Sequence, residues 1–241
     1  RRQRQMCIRD RDHTLNQAIE LLFSLEQTAI EEDLALEILS LFRIPVVARR
    51  LVEDEKGLDA AALALGFPLV LKTAEPGILH KSDVGGVVIN IDGPDALQYH
   101  YHDIAERLGP RVLISAMASE GVEIGLGVIN DPQFGPMVMV AAGGVLIESL
   151  DDRALALCPV SYDEALKMLA GLKINALLEG RRGRPQADQV ALAETIVNLS
   201  RFAVAMGDRI AEVDINPVIA GPGGVVAVDA LILRGSKPVV I

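Results

Sequence analysis

One stretch constrains the fold of this chain more than any other: residues 69–91, LVLKTAEPGILHKSDVGGVVINI. Two apolar runs flank a polar connection, which predicts a strand, a loop and a return strand. The first run carries one cation, Lys72, near its end, and the connection holds Glu75, Pro76, Gly77, His80, Lys81, Ser82 and Asp83. Gly85 and Gly86 open the second run. Adjacent glycines let backbone N–H groups approach a ligand that any Cβ would hold off. Such N–H groups beside ammonium groups are what a polyphosphate requires. The expectation is a phosphate-handling hairpin with a reactive histidine, His80, since a neutral imidazole is a competent nucleophile near pH 7. The alternative for each residue is plain: Lys72 as a solvated lysine on an edge strand, His80 as a surface loop residue.

The remaining elements follow from periodicity and punctuation. Leu15–Phe42 predicts two helical stretches, the second carrying Leu34, Ile38, Leu39, Leu41 and Phe42 at helix spacing. Ile44–Val47 predicts a short strand, because Pro45 stops the helix. Asp59–Leu65 reads as an alanine-rich helix closed by Gly66. Pro94 suits the first turn of a helix ending near Gly109. Strands are expected at Arg111–Met117, Val122–Ile129, Met137–Ala141 and Val145–Ser149. Ser161 with Glu164 three residues on is a capping box. A long amphipathic helix over Gln186–Met206 precedes a closing hairpin, Ile210–Ile219 with Val225–Leu233. The order gives an α+β fold of two lobes, residues 12–110 with the N-terminal helices and residues 111–241. Residues 1–11, RRQRQMCIRDR, lack the periodicity that begins at Leu15. They read as a non-native tail outside the fold, with the natural N-terminus missing.

Composition excludes several classes. With 33 acidic and 23 basic side chains the formal charge is −10, which disfavours a nucleic-acid partner. Two cysteines, Cys7 and Cys158, fit a reducing cytoplasm, with Cys158 buried and inert beside Pro159. No uninterrupted apolar run approaches the roughly 20 residues of a membrane helix, so a soluble protein with no membrane partner is expected.

The closing hairpin is the second place where chemistry is expected. Asp214 and Asn216 share one face of their strand, and Asp229 on the partner strand can come across from them. Two carboxylates and a carboxamide are hard oxygen ligands suited to magnesium that also holds phosphates. Turn chemistry around Asn216-Pro217 is the alternative, but acidic groups inside an apolar hairpin are costly unless paired or metal-bound. Glu123 and Glu148 are single carboxylates within apolar strands; facing inward, each would reach a ribose, a metal or the histidine, and facing outward each is ordinary alternation. Arg182 in a basic turn would bind an anion or stay solvated, and His100 and His102 read as surface residues of a helix.

Together these motifs carry a resemblance. GFPLVLKTAEPGILHKSDVGGV, GVEIGLGVINDPQFGP, LLEGRRGRPQAD and AEVDINPV followed by VVAVDA resemble, in that order, the ATP-grasp domain of the nucleoside-diphosphate-forming acyl-CoA synthetases. The resemblance runs from about Glu31 to about Leu233. It implies an ATP-grasp fold, two α+β lobes with the nucleotide cleft between them, binding ATP or ADP with Mg2+. It implies that Lys72 meets the phosphates, that the loop Lys81, Ser82, Gly85 and Gly86 closes over them, and that Ser115 and Met117 lie at the adenine hinge. Glu123 would contact the nucleotide, Asn216 and Asp229 would hold magnesium, and Asp214 and Glu148 would assist a phosphohistidine formed on His80. The implied function is phosphate transfer between ATP or ADP and that histidine, driving acyl-CoA formation from acid and CoA. The implied partner is a CoA-binding, CoA-ligase module, on a separate chain or fused upstream, since no Gly-x-Gly-x-x-Gly unit precedes the lobes here. A second reading is a nucleotide- or acyl-CoA-sensing regulatory domain of an acetyltransferase fusion, without turnover.

Overall fold

The computed structural model describes residues 13–23, 27–78, 80–144, 152–180 and 185–235. Their strands, in chain order, are β1 (Ala29–Ile30), β2 (Arg49–Val52), β3 (Leu69–Thr73), β4 (Val87–Ile91), β5 (Val112–Ala116), β6 (Val122–Asp131), β7 (Gly135–Ala142), β8 (Arg153–Leu157), β9 (Ile210–Gly221), β10 (Gly224–Ala227) and β11 (Leu231–Arg234). The chain divides into two compact units, Val47–Ser119 and the remainder.

The smaller unit is a four-stranded antiparallel sheet in the order β2-β5-β3-β4. The helices Leu58–Leu65 and Pro94–Leu108 pack on one face, and Leu69, Leu71, Ile91, Ile104, Val112 and Ile114 form the core with them. Each such aliphatic side chain contributes about 1.5–3 kcal/mol by leaving water. The helix ends are as the sequence predicts. Gly66 adopts φ +74 and donates its N–H to the Ala62 carbonyl, while Pro94 occupies the first turn of its helix. Alternation along β3 turns Leu69 and Leu71 toward the helices and Val70 and Lys72 to the opposite face.

The larger unit holds a seven-stranded antiparallel sheet, β1-β11-β9-β6-β7-β8, with β10 also pairing β9. The helix Gln189–Met206 packs on it through β6, β7, β9 and β10, burying Leu192, Ile196, Leu199 and Phe202 completely. The helix Tyr162–Gly171 packs beside it, opened by the expected capping box: Ser161 Oγ accepts the Glu164 N–H at 3.3 Å and Glu164 Oε2 accepts the Ser161 N–H at 2.8 Å.

Several expectations give way here. The lobes do not part near Pro110. β5 pairs with β2 and β3 and so belongs to the smaller unit, while β1 pairs with β11 and takes the N-terminal segment into the larger one. Ile44–Val47 forms no strand, only a bridge from Val46 to Ala227; Pro45 lacks an N–H, and its carbonyl accepts the Ala227 N–H at 2.8 Å. The strand lies further on, at β2. Val225–Leu233 is interrupted at residues 228–230 rather than continuous. The edge strand β8 was not foreseen, and the expected strand Val145–Ser149 lies outside the described residues. The apolar run is also longer than expected. The segment Gln189–Arg209 is long and apolar enough to cross a membrane by length and composition, but 56% of its most apolar window is buried within the protein, as in a core helix.

Candidate functional site

In the smaller unit, Lys72 lies on β3 between Val87 of β4 and Leu113 of β5, so its strand is internal, not an edge, and its exposure is only 6%. A lysine this buried needs a partner for its charge. The β3–β4 connection starts from this strand. Glu75 accepts the Arg111 N–H at 2.9 Å, and its own N–H donates to Thr73 Oγ1 at 3.4 Å.

The loop that follows is closed by its own backbone. Gly85, at φ +63, donates its N–H to the Ser82 carbonyl at 3.1 Å, and Gly86 donates to the Lys81 carbonyl at 2.8 Å. The Gly86 carbonyl in turn accepts the Thr73 N–H at 2.7 Å, fastening the loop to β3. A Cβ on Gly86 would come within 2.6 Å of Thr73 Cγ2 and 3.1 Å of the Lys81 carbonyl. The two glycines therefore shape the loop, and their N–H groups are directed into it rather than outward. The strand and the loop also carry the polar side chains of Lys72, Lys81 and Ser82. His80 is exposed on the same connection. Ser115, 3% exposed, pairs across β5 with Arg49 and Val70, and Met117 donates its N–H to the Pro68 carbonyl at 3.1 Å.

In the larger unit the closing hairpin brings the oxygen ligands together. β10 pairs Ala227 with Val218, and β11 pairs Leu231 with Asp214 in the same register. Counting inward from either pair sets Asp229 across from Asn216, and the Val228 N–H donates to the Pro217 carbonyl at 3.2 Å between them. Asn216 Oδ1 accepts the N–H of Gly144 at 3.0 Å. Glu123, on β6, lays its carboxylate against the same glycine: a Cβ there would fall 1.6 Å from Glu123 Oε2. Partial loss of hydration, then the nearby charges of Asp229 and Glu212, hold the Asp214 carboxyl above its usual range. Asp214, Asn216 and Asp229 are neighbouring hard oxygen donors on this hairpin, the donor chemistry a magnesium ion takes. Among the described residues no three of His, Cys, Asp and Glu are grouped to hold a metal. Asn216 and Asp229 fit a magnesium ion that keeps waters and phosphate oxygens as its other ligands.

Glu148 and Arg182 lie outside the described residues. His100 is half-buried and packs edge-on to Tyr99, while His102 contacts Glu55 at 3.3 Å, both ordinary helix-surface roles. Cys158 is half-buried rather than buried as expected, and its partial loss of hydration pushes the thiol up to about 11. Sequence reasoning missed the Gly144 amide, because a backbone donor leaves no residue-type signal. It also missed Asp152, 7% exposed, whose carboxylate accepts the N–H groups of Lys173 and Ile174 at 2.7 and 2.8 Å.

The sequence profile of the ATP-grasp domain matches residues 23–233. The chain is 36% identical over 213 residues to the acetate–CoA ligase [ADP-forming] I subunit beta of Pyrococcus furiosus, covering 85% of this chain and 91% of that one. It is 32% identical over 210 residues to acetate–CoA ligase [ADP-forming] I of Archaeoglobus fulgidus, covering 84% of this chain but 30% of that protein. Among solved structures, the acetyl-coenzyme A synthetase 1 of Ca. Korarchaeum cryptofilum in complex with coenzyme A and Mg-AMPPCP superimposes with a TM-score of 0.82 at 35% identity, over 90% of this chain and 99% of that chain.

Proposed function

The chain belongs to the ATP-grasp family, and from that premise we propose that it is the nucleotide-handling module of an ADP-forming acyl-CoA ligase. Its substrate is ATP, or ADP in reverse, and its product is a phosphohistidine that a CoA-ligase module uses to make an acyl phosphate and then an acyl-CoA. The observation that carries this reading is Lys72, a buried cation on an internal strand that feeds directly into the glycine-closed loop. The similarity to a ligase β subunit supports the reaction class, and the longer Archaeoglobus relative supports a partner module, separate or fused.

Phosphoryl transfer asks a protein mainly for positioning and charge compensation. Lys72 and Lys81 draw the phosphates in, and the Ser82 hydroxyl donates to a phosphate oxygen. Ser115, the Met117 segment and Glu123 contact the nucleoside. Magnesium held by Asn216 and Asp229 would supply neutralisation of the phosphate charge; the Mg-AMPPCP of the solved relative supports magnesium as the ion. An imidazole nitrogen of His80 attacks the γ-phosphorus: the N–P bond forms, the bond to the bridging oxygen breaks, and ADP leaves. An exposed histidine on a loop suits a group that must hand its phosphoryl to a second module. The imidazole proton passes to solvent water, and Asp214 and Glu148 are the carboxylates proposed, by likeness to the family, to assist the chemistry. The regulatory reading, a sensor fused to an acetyltransferase, draws no support from these ligase relatives.

The test is to mix the chain with γ-labelled ATP and magnesium and to look for acid-labile, base-stable label, then to repeat with His80→Ala. Label lost with the substitution supports the relay. Label that persists moves the nucleophile elsewhere, and tight nucleotide binding with no label, even with a CoA-ligase partner added, favours a sensor.

A further inference from the structure

We propose that Arg107 is a positioning residue for this phosphate transfer, its guanidinium presetting the loop from Lys81 to Gly86 before nucleotide arrives. The inference rests on the reading of that loop as phosphate-binding. Arg107 stands in the last turn of the helix Pro94–Leu108, where a cation also meets the negative end of the helix dipole. Its Nη1 donates to the Val84 carbonyl at 3.0 Å and its Nη2 to the Gly85 carbonyl at 3.0 Å. One turn back, Asp103 Oδ2 accepts from Nε at 3.2 Å and from Nη2 at 2.8 Å. The planar fork is thus held on its own helix by a carboxylate and presents its remaining donors to two successive loop carbonyls, which a lysine ammonium cannot reproduce. The Arg107 hydrogen bond holds the Asp103 carboxyl below its usual range, as expected of a formed pair.

The peptide bond is planar, so a carbonyl and the following N–H move as one rigid unit. The Val84 carbonyl shares its plane with the Gly85 N–H, which donates to Ser82, and the Gly85 carbonyl shares its plane with the Gly86 N–H, which donates to Lys81. Two consecutive peptide planes are therefore pinned at both ends, by Arg107 on the oxygen side and by the loop's own carbonyls on the N–H side. The residues that receive those N–H groups, Lys81 and Ser82, are the ones whose side chains are assigned to the phosphates. Arg107 and Asp103 have side chains 40% and 53% exposed, so the pair adds little to global stability and its effect is confined to the loop.

The test compares Arg107→Ala, Arg107→Lys and Lys72→Ala in the full chain, titrated with Mg-ATP and followed by amide hydrogen exchange and thermal unfolding. Loss of Arg107 should weaken Mg-ATP binding about tenfold, the change expected for one charge-assisted hydrogen bond. It should accelerate exchange at Gly85 and Gly86 and leave Tm unchanged. Arg107→Lys should behave like Arg107→Ala, and millimolar guanidinium should restore affinity to Arg107→Ala alone. If Lys72→Ala abolishes binding while Arg107→Ala leaves affinity and exchange as they were, the positioning role is wrong. It is equally wrong if affinity falls only in step with Tm. Should Lys72→Ala itself leave affinity intact, the phosphate reading of the loop fails instead, and this inference with it.

Discussion

The backbone N–H of Gly144 donates to the side-chain oxygen of Asn216 at 3.0 Å, tying the end of β7 to the carboxamide that stands across the hairpin from Asp229. The bond fixes which way the amide is turned: its oxygen faces Gly144 and keeps a second lone pair for a cation. Asn216→Ala should therefore lower the affinity for magnesium in the presence of ATP at least tenfold, as loss of a ligand or its support does. Asn216→Asp keeps an oxygen for both partners and should retain magnesium-dependent nucleotide binding. Titrating magnesium at fixed ATP checks both, and an Ala variant with unchanged magnesium dependence removes Asn216 from the site.

At Gly86 the constraint is packing rather than backbone angle. A methyl group there meets Thr73 Cγ2, the Leu108 side chain and the Lys81 carbonyl, and the last of these is backbone that closes the loop. Gly86→Ala should cost about 1–3 kcal/mol in denaturant unfolding and should weaken Mg-ATP binding as well, because the loop opens to make room. A variant with native stability and native affinity would show that the loop yields freely.

The hairpin Leu69–Ile91 was legible in the sequence because its signal is local: two apolar runs, a polar connection and a glycine pair. The helices closed by Gly66 and Gly109 and the capping box at Ser161 were legible for the same reason. The role of the glycine pair was only half read. Residue type shows that backbone can approach closely, but not whether the N–H groups point at a ligand or, as here, at Ser82 and Lys81. The division between units was not legible, since the pairing of β5 with β2 joins residues some sixty apart with no mark in either segment. Lys72 as an edge lysine failed likewise, because only the sheet order sets β3 between two neighbours. Arg107 escaped notice because an arginine late in a helix is the commonest kind of solvated cation.

The capping box gives a pH signature. Hydrogen bonds from the Ser161 side chain and backbone hold the Glu164 carboxyl below its ordinary value of 4.5. A carboxyl whose folded pKa is depressed binds fewer protons in the folded state, so its contribution is complete above the unfolded pKa and is lost as pH falls through the folded one. The stability difference between the native chain and Glu164→Gln should therefore be constant at neutral pH, shrink below pH 4.5, and vanish once both states are protonated. Urea unfolding at stepped pH reads it; a difference that persists unchanged into strong acid would mean the cap works through packing instead.

Asp152 is a buried carboxylate of the larger unit whose loss should be felt in stability. Its two carboxylate oxygens each accept one backbone N–H, from Lys173 and from Ile174, at distances typical of charge-assisted bonds. Its own carbonyl accepts the Ala142 N–H at 3.1 Å, so a single residue joins the end of β7 to the turn that opens the helix Asn175–Leu178. Asp152→Ala strands the Ile174 N–H where there is little water, since Asp152 is 7% exposed and Ile174 5%, while the Lys173 N–H is only partly buried. At roughly 1–3 kcal/mol for a buried unsatisfied donor, the Ile174 N–H alone should cost about that much, and the part-buried Lys173 N–H adds less. Asp152→Asn keeps one oxygen and should recover part of it, because one N–H retains an acceptor while the other meets the amide nitrogen. Denaturant midpoints of the two variants order the outcome: native, then Asn, then Ala. An Ala variant as stable as the native chain would mean that the turn rearranges to expose both N–H groups to water, and Asp152 would then be a consequence of the fold rather than one of its fasteners.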